Sequence, residues 1–189
     1  LTNINRQIHA LETTIGQKKT LMMKERILAI NPQAKVTTIE KLYTPESNFF
    51  NWDDDYTYIV DAVDDVKAKI NLIVNANKHN LPIMSSMGTA NKLDPQKFVI
   101  TDIYKTHTCP LARIMRKTLK QQGIKKLKVL YSTEEPFTNY TVNFKENTSK
   151  DNSPASTRKQ PLGSISFVPP IAGLMIAGEI VKDICQINR

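Results

Sequence analysis

The stretch Tyr56 to Lys69, YTYIVDAVDDVKAK, constrains this chain more than any other. Its first half, Tyr56 to Ala62, reads as a buried parallel strand. Ile59, Val60, Ala62 and Val63 are apolar there, with aromatic or β-branched residues beside them. A helix is expected from Lys67, and Asp61, Asp64 and Asp65 fall at the turn between. A strand that ends in carboxylates and feeds a helix sets them at the carboxyl edge of a parallel sheet, where open α/β sheets bind ligands. An acid there can hold a ribose hydroxyl, or Mg²⁺ beside a phosphate. It can also cap the helix, which stabilises by about 1 kcal/mol. One cap does not need three acids, so at least one of them is expected to be functional.

Around this unit the chain alternates. Helical periodicity runs from about Gln17 to Ile30 with Leu21, Met22, Ile27 and Leu28 as its core stripe, and Asn31-Pro32 ends it. Lys35 to Glu40 alternates like a strand, and Pro45 to Asp55 reads as a short surface helix carrying Trp52. The helix after the central strand ends near His79-Asn80, where His79 suits the helix dipole. Leu81 to Ser86 is the next strand, broken by Met87-Gly88. Lys97 to Ile103 reads as an antiparallel strand, Pro110 to Gln122 as a helix capped by Gly123, and Leu127 to Ser132 as a further strand. Lys145 to Pro161 is a polar loop without periodicity, and a small-residue helix from Pro170 to Ile187 closes the chain. Helix, strand, helix, strand is a doubly wound α/β arrangement. The division expected is a core over 1–92 and an antiparallel extension over 93–189, within one domain.

Charge is unevenly spread within a net +8. Ile103 to Thr133 holds eight Lys or Arg and no Asp or Glu, with Arg113, Arg116, Lys117 and Lys120 on the helix. From charge alone, a solvated face and a nucleic-acid surface both stay open. The two cysteines, Cys109 and Cys185, are far apart in a lysine-rich chain, which points to a reducing cytosol rather than a disulfide framework. No apolar run reaches the ~20 residues of a membrane span. Cys109 reads as a free cysteine at a helix start, and the pair lacks the spacing of a zinc site.

The order of motifs NINRQ, GQKK, a strand ending DAVDD, then SSMG resembles the ThiF/MoeB/HesA superfamily, bacterial relatives of ubiquitin-activating enzymes. KFVITDIYKTHTCPLARIMRKTLK, KVLYSTEEP and GSISFVPPIAGLMIAGEIV resemble its tRNA threonylcarbamoyladenosine dehydratase branch. The resemblance implies ATP-dependent activation of a carboxylate and cyclisation of threonylcarbamoyladenosine in tRNA with loss of water. Arg6 matches the arginine that contacts the nucleotide phosphates, with Asn3 and Gln7 as its polar neighbours; a planar guanidinium suits that task. Lys19 matches the phosphate-neutralising lysine, and Asp64 the aspartate that binds Mg²⁺ or ATP, so Arg6 and Asp64 stand as the catalytic pair. Where many members carry Asn after that aspartate, Asp65 stands here. Arg113, Arg116, Lys117 and Lys120 would contact tRNA phosphates. The nucleic acid implied is tRNA and not DNA, the assembly a homodimer, and the compartment the cytoplasm, with a sulfur-relay protein as a further partner. Two other readings stand beside this one: an adenylyltransferase for a ubiquitin-like sulfur carrier, and a non-catalytic RNA-binding or dimerisation module.

The family places a glycine-rich phosphate loop and an acidic ribose-binding strand end before its NxxRQ motif, and neither occurs in this sequence. The expected fold is therefore a partial Rossmann-like doubly wound sheet without its N-terminal βαβ unit, carrying an antiparallel extension and helices. On this reading the chain, which begins at Leu1, is a C-terminal fragment that is inert by itself. Purified alone it is expected to give no phosphate or pyrophosphate from ATP; measurable turnover would refute that.

Overall fold

The computed structural model describes residues 3–49, 51–135 and 162–187. Four strands form one open sheet: β1 (Ile59–Asp61), β2 (Ile83–Ser86), β3 (Phe98–Asp102) and β4 (Lys128–Ser132), in the order β1-β2-β4-β3. β1 pairs parallel with β2 (Ile59 opposite Ile83), and β2 parallel with β4 (Ser85 opposite Val129). β3 closes the far edge antiparallel to β4, with Phe98 opposite Ser132. The antiparallel reading of Lys97 to Ile103 thus holds, and the sheet draws on both halves of the chain.

Helices cover both faces. α2 (Val66–Lys78) and α3 (Pro110–Gln121) pack on one, where Ile73, Met115 and Leu119 meet Val129 and Tyr131. α4 (Val168–Ile184) covers the other, where Val168, Ala172 and Ile176 meet Met84 and Leu130. The alternation along β4 sends successive side chains to opposite faces, so both helical layers are served by one strand. Local chemistry sets the helix ends. Asp65 accepts from Ala68 N at 2.8 Å and caps α2, and Gly123 at φ +75° follows the end of α3 where a Cβ would be strained.

Several expectations fail for one reason, the lack of a packing partner. Lys35–Glu40 forms no strand, because no described strand lies beyond β1 to complete its ladder. β1 is shorter than Tyr56–Ala62, and Val60 is 49% exposed because no described residue covers its side of the edge strand. α1 (Lys19–Ile30) forms as a helix, yet buries no residue, so Leu21, Met22, Ile27 and Leu28 are not a core stripe. The described residues of Pro45–Asp55 are turns and not a helix; Trp52 stacks on His79, the α2 cap residue, with ring centroids 5.6 Å apart. Gly173 and Gly178 of α4 each have open space where a Cβ would stand. The polar loop Lys145 to Pro161 lies outside the described residues. No helix among the described residues is long and apolar enough to cross a membrane.

α4 is pinned to β4 at its C-terminal end. Lys128 Nζ donates to both oxygens of Asp183 (2.6 and 2.8 Å) and to Glu179 (3.1 Å), and the Tyr58 hydroxyl donates to Asp183 at 2.8 Å. The Lys128 hydrogen bond, helped by Tyr58, holds Asp183 below its ordinary value of 3.8 against an opposing effect of burial. Burial works against the Lys128 ammonium, but its hydrogen bonds to Asp183 and Glu179 outweigh it and raise its pKa above 10.5. Asp183's share of stability is therefore present above pH 3.8 and lost as pH falls through its lowered folded value. Lys128's share is present below pH 10.5 and lost as pH rises through its raised value. With both side chains about a third exposed, each share stays under about 1 kcal/mol. Thermal melts of Lys128→Met are expected to fall less steeply than those of the unsubstituted chain below about pH 4; parallel acid limbs would contradict this assignment.

Candidate functional site

The strand–turn–helix unit delivers its three aspartates to three different jobs. Asp61, the last residue of β1, is fully buried and faces Lys69, 1% exposed, one turn into α2. Lys69 Nζ donates to Asp61 Oδ2 at 2.8 Å, to Ser85 Oγ at 3.3 Å and to the Ser86 carbonyl at 3.0 Å. Ser85 Oγ donates to Asp61 Oδ2 at 2.5 Å, and Val63 N donates to Asp61 Oδ1 at 3.1 Å. All three ammonium protons have acceptors, which a buried ion pair requires. Asp65 is the helix cap. Asp64, exposed like Asp65, is the one of the three with neither task, and it stands at the carboxyl edge of the parallel strands. Lys69 was legible as a lone lysine within the apolar stripe Ala68, Leu72, Ile73 and Ala76, where a charge needs a partner.

The NINRQ and GQKK motifs meet elsewhere. Asn3, Gln7, His9 and Lys19 line one small hollow of about 110 Å³, which Asp64 does not reach. Gln7 Oε1 and His9 Nε2 are buried there without a hydrogen-bond partner among the described residues, a pair of open polar atoms suited to a polar ligand. Burial, and then the charge of Lys19, lower the His9 pKa and favour the neutral ring. Arg6 donates to Asn5 Oδ1 (3.0 Å) and Asn3 Oδ1 (3.3 Å). Residues 163–164 tie this turn to the sheet: Asn5 donates to the Ser164 carbonyl at 3.0 Å, and Asn91, in the loop after β2, exchanges two hydrogen bonds with Gly163 (2.8 and 2.9 Å). The neighbouring Lys92, 3% exposed, donates to the Glu134 carbonyl, while the Glu134 carboxylate accepts from Leu93 N and Asp94 N. Burial lowers the Lys92 pKa, against the charge of Glu134.

A much larger open cavity, about 1140 Å³, lies at the opposite edge, beside Tyr58, Ile83 and Lys128. None of Asn3, Arg6, Gln7, Lys19, Asp64, Arg113, Arg116, Lys117 and Lys120 lines it. On α3, Arg113, Lys117 and Lys120 are exposed along one stripe, opposite the buried Ala112, Met115 and Leu119. Arg116 is turned inward and donates to the Thr106 carbonyl at 2.9 Å and to its hydroxyl, bracing the loop into α3. Cys109 is a buried, free thiol at the start of that helix. Among the described residues no group of three His, Cys, Asp or Glu could hold a metal ion.

The model of the ThiF family matches residues 1–189. The chain belongs to the ThiF family. Among ThiF relatives, the tRNA threonylcarbamoyladenosine dehydratase of Bacillus subtilis (strain 168) is 41% identical over 189 residues, 98% of this chain and 73% of that protein. The protein of the same name from Escherichia coli (strain K12) is 38% identical over 120 residues, 64% of this chain and 45% of its own length. The crystal structure of that enzyme, TcdA, in complex with ATP matches 98% of this ThiF chain and 71% of its own, with a TM-score of 0.78 at 27% identity. The complex with AMP matches at 0.77 and 28%.

Removing the ammonium alone leaves the Asp61 carboxylate buried and unpaired. Lys69→Met is expected to cost about 3 to 5 kcal/mol in urea unfolding; a loss below about 1 kcal/mol would mean water reaches Asp61.

Proposed function

We propose that this chain belongs to an ATP-dependent dehydratase that cyclises threonylcarbamoyladenosine in tRNA. The observation that carries the reading is the 41% identity with the B. subtilis tRNA threonylcarbamoyladenosine dehydratase along nearly the whole chain. Activation of the substrate carboxylate by ATP turns a poor leaving group into a good one, and the carbamoyl group of the same side chain can then close the ring.

This chain's residues divide the task by position. Arg6, Lys19, Asn3 and Gln7 hold the phosphates, and the open Gln7 and His9 atoms beside Lys19 support a polar ligand there. Asp64 would offer a carboxylate to Mg²⁺, which would offset the charge of a bound nucleotide's phosphates. The stripe Arg113, Lys117 and Lys120 meets tRNA phosphates, and Arg116 sets the loop before it. A homodimer is supported by the uncovered face of α4, where Leu174 is 70% and Val181 55% exposed beside Gly173 and Gly178. The work is placed in the cytoplasm, where tRNA is modified.

The deciding experiment incubates the chain, extended upstream through a glycine-rich loop, with ATP and tRNA bearing threonylcarbamoyladenosine. Mass spectrometry of the nucleoside should register the loss of one water, and Lys19→Ala or Asp64→Asn should slow it by about 10² or more. An unchanged nucleoside would remove the reading. For the tRNA face, Arg113→Gln, Lys117→Gln and Lys120→Gln together are expected to reduce the log–log salt slope of tRNA binding by about 3; an unaltered slope would assign the stripe to solubility.

A further inference from the structure

We propose that Lys69, with Asp61 and Ser85, is a positioning residue for Asp64, holding the turn after β1 at a fixed distance from the turn after β2. The inference rests on the reading of Asp64 as a nucleotide or Mg²⁺ residue.

The argument begins with what the ammonium touches. Its three hydrogen bonds reach the last residue of β1, Asp61, and the last two residues of β2, Ser85 and Ser86. β1 and β2 are already paired by their backbones, with Asp61 opposite Ser85. The lysine is therefore not needed to join the strands; it joins the two turns that leave them. Ser86 precedes Met87-Gly88, where the chain enters the loop carrying Asn91 and Lys92. Asp61 in turn accepts Val63 N through its other oxygen and shapes the chain into Asp64. On the far side Asp65 is anchored by Ala68 N. Asp64 is thus exposed between two tethered neighbours, one held by the buried pair and one by the helix.

A buried ion pair is a poor way to gain stability, since an apolar pair of the same volume commonly serves as well or better. What it supplies is direction: charge-assisted hydrogen bonds fix the angle and distance of the groups they join. Partners one step behind a ligand-binding carboxylate act in this way, and their loss typically lowers metal affinity by about 10- to 100-fold.

The test separates positioning from stability. Asp61→Asn with Lys69→Met removes both charges, keeps an acceptor for Val63 N and leaves no buried ion. Mg²⁺–ATP is titrated to millimolar concentration into the ¹⁵N-labelled chain extended upstream through a glycine-rich loop, following the amides of residues 62–66 and 86–88. The double variant is expected to keep a dispersed spectrum and a Tm within about 5 °C, while its apparent Kd rises about tenfold. Ser85→Ala, a smaller change, is expected to raise Kd about threefold and serves if the double variant does not fold. A folded variant that binds as tightly as the unsubstituted chain overturns the proposal. Asp64→Asn is the control for the underlying reading. If it binds Mg²⁺–ATP normally, or if the unsubstituted chain gives no saturable shift, the nucleotide reading of Asp64 fails and the positioning role falls with it.

Discussion

The contact between Asp61 and Lys69 is where this structure has the least freedom. Two opposite charges stripped of water cost several kcal/mol each unless every proton and lone pair is answered. Here they are answered by Ser85, the Ser86 carbonyl and Val63 N. That requirement dictates which face of α2 turns inward and how far along β2 the chain runs before it bends. It also removes Asp61 from the list of available acids, and with Asp65 spent on the helix cap, Asp64 is the one of the three with neither task.

Around that point the fold is economical. β4 supplies side chains to both helical layers, so the α2/α3 and α4 sides share one central strand. The carboxyl edge is then crowded by loops that have little secondary structure of their own. Asn91 grips Gly163, Asn5 grips Ser164, and Glu134 gathers the backbone at Leu93 and Asp94. Through these ties the NINRQ turn is held to a sheet with which it shares no strand. The basic stripe of α3 lies on the exposed side of the same layer that packs over the buried pair.

Much of this was readable in the chain. The strand–turn–helix around Asp64, the antiparallel partner of β4, Pro110 at the start of α3 and Gly123 at its end follow from local rules of periodicity and capping. Lys35–Glu40 and α1 misled because periodicity reports a capacity to be buried, and burial needs a neighbour. The alternating residues of 35–40 meet no strand, and the apolar stripe of α1 meets no core. Arg116 was read with its basic neighbours, yet its reach toward Thr106 depends on a loop ten residues earlier.

The sequence by itself determined the elements, the caps, the acid-free charge of α3 and the set of motifs that mark the ThiF family, because each depends on residues within a few positions of one another. Only the tertiary structure decided the division of labour among Asp61, Asp64 and Asp65, and the burial of Lys69. The same holds for the link from Asn5 through residues 163–164 to Asn91. Those outcomes depend on which groups meet across 8 to 159 positions of chain, where distance in sequence carries little information about distance in space.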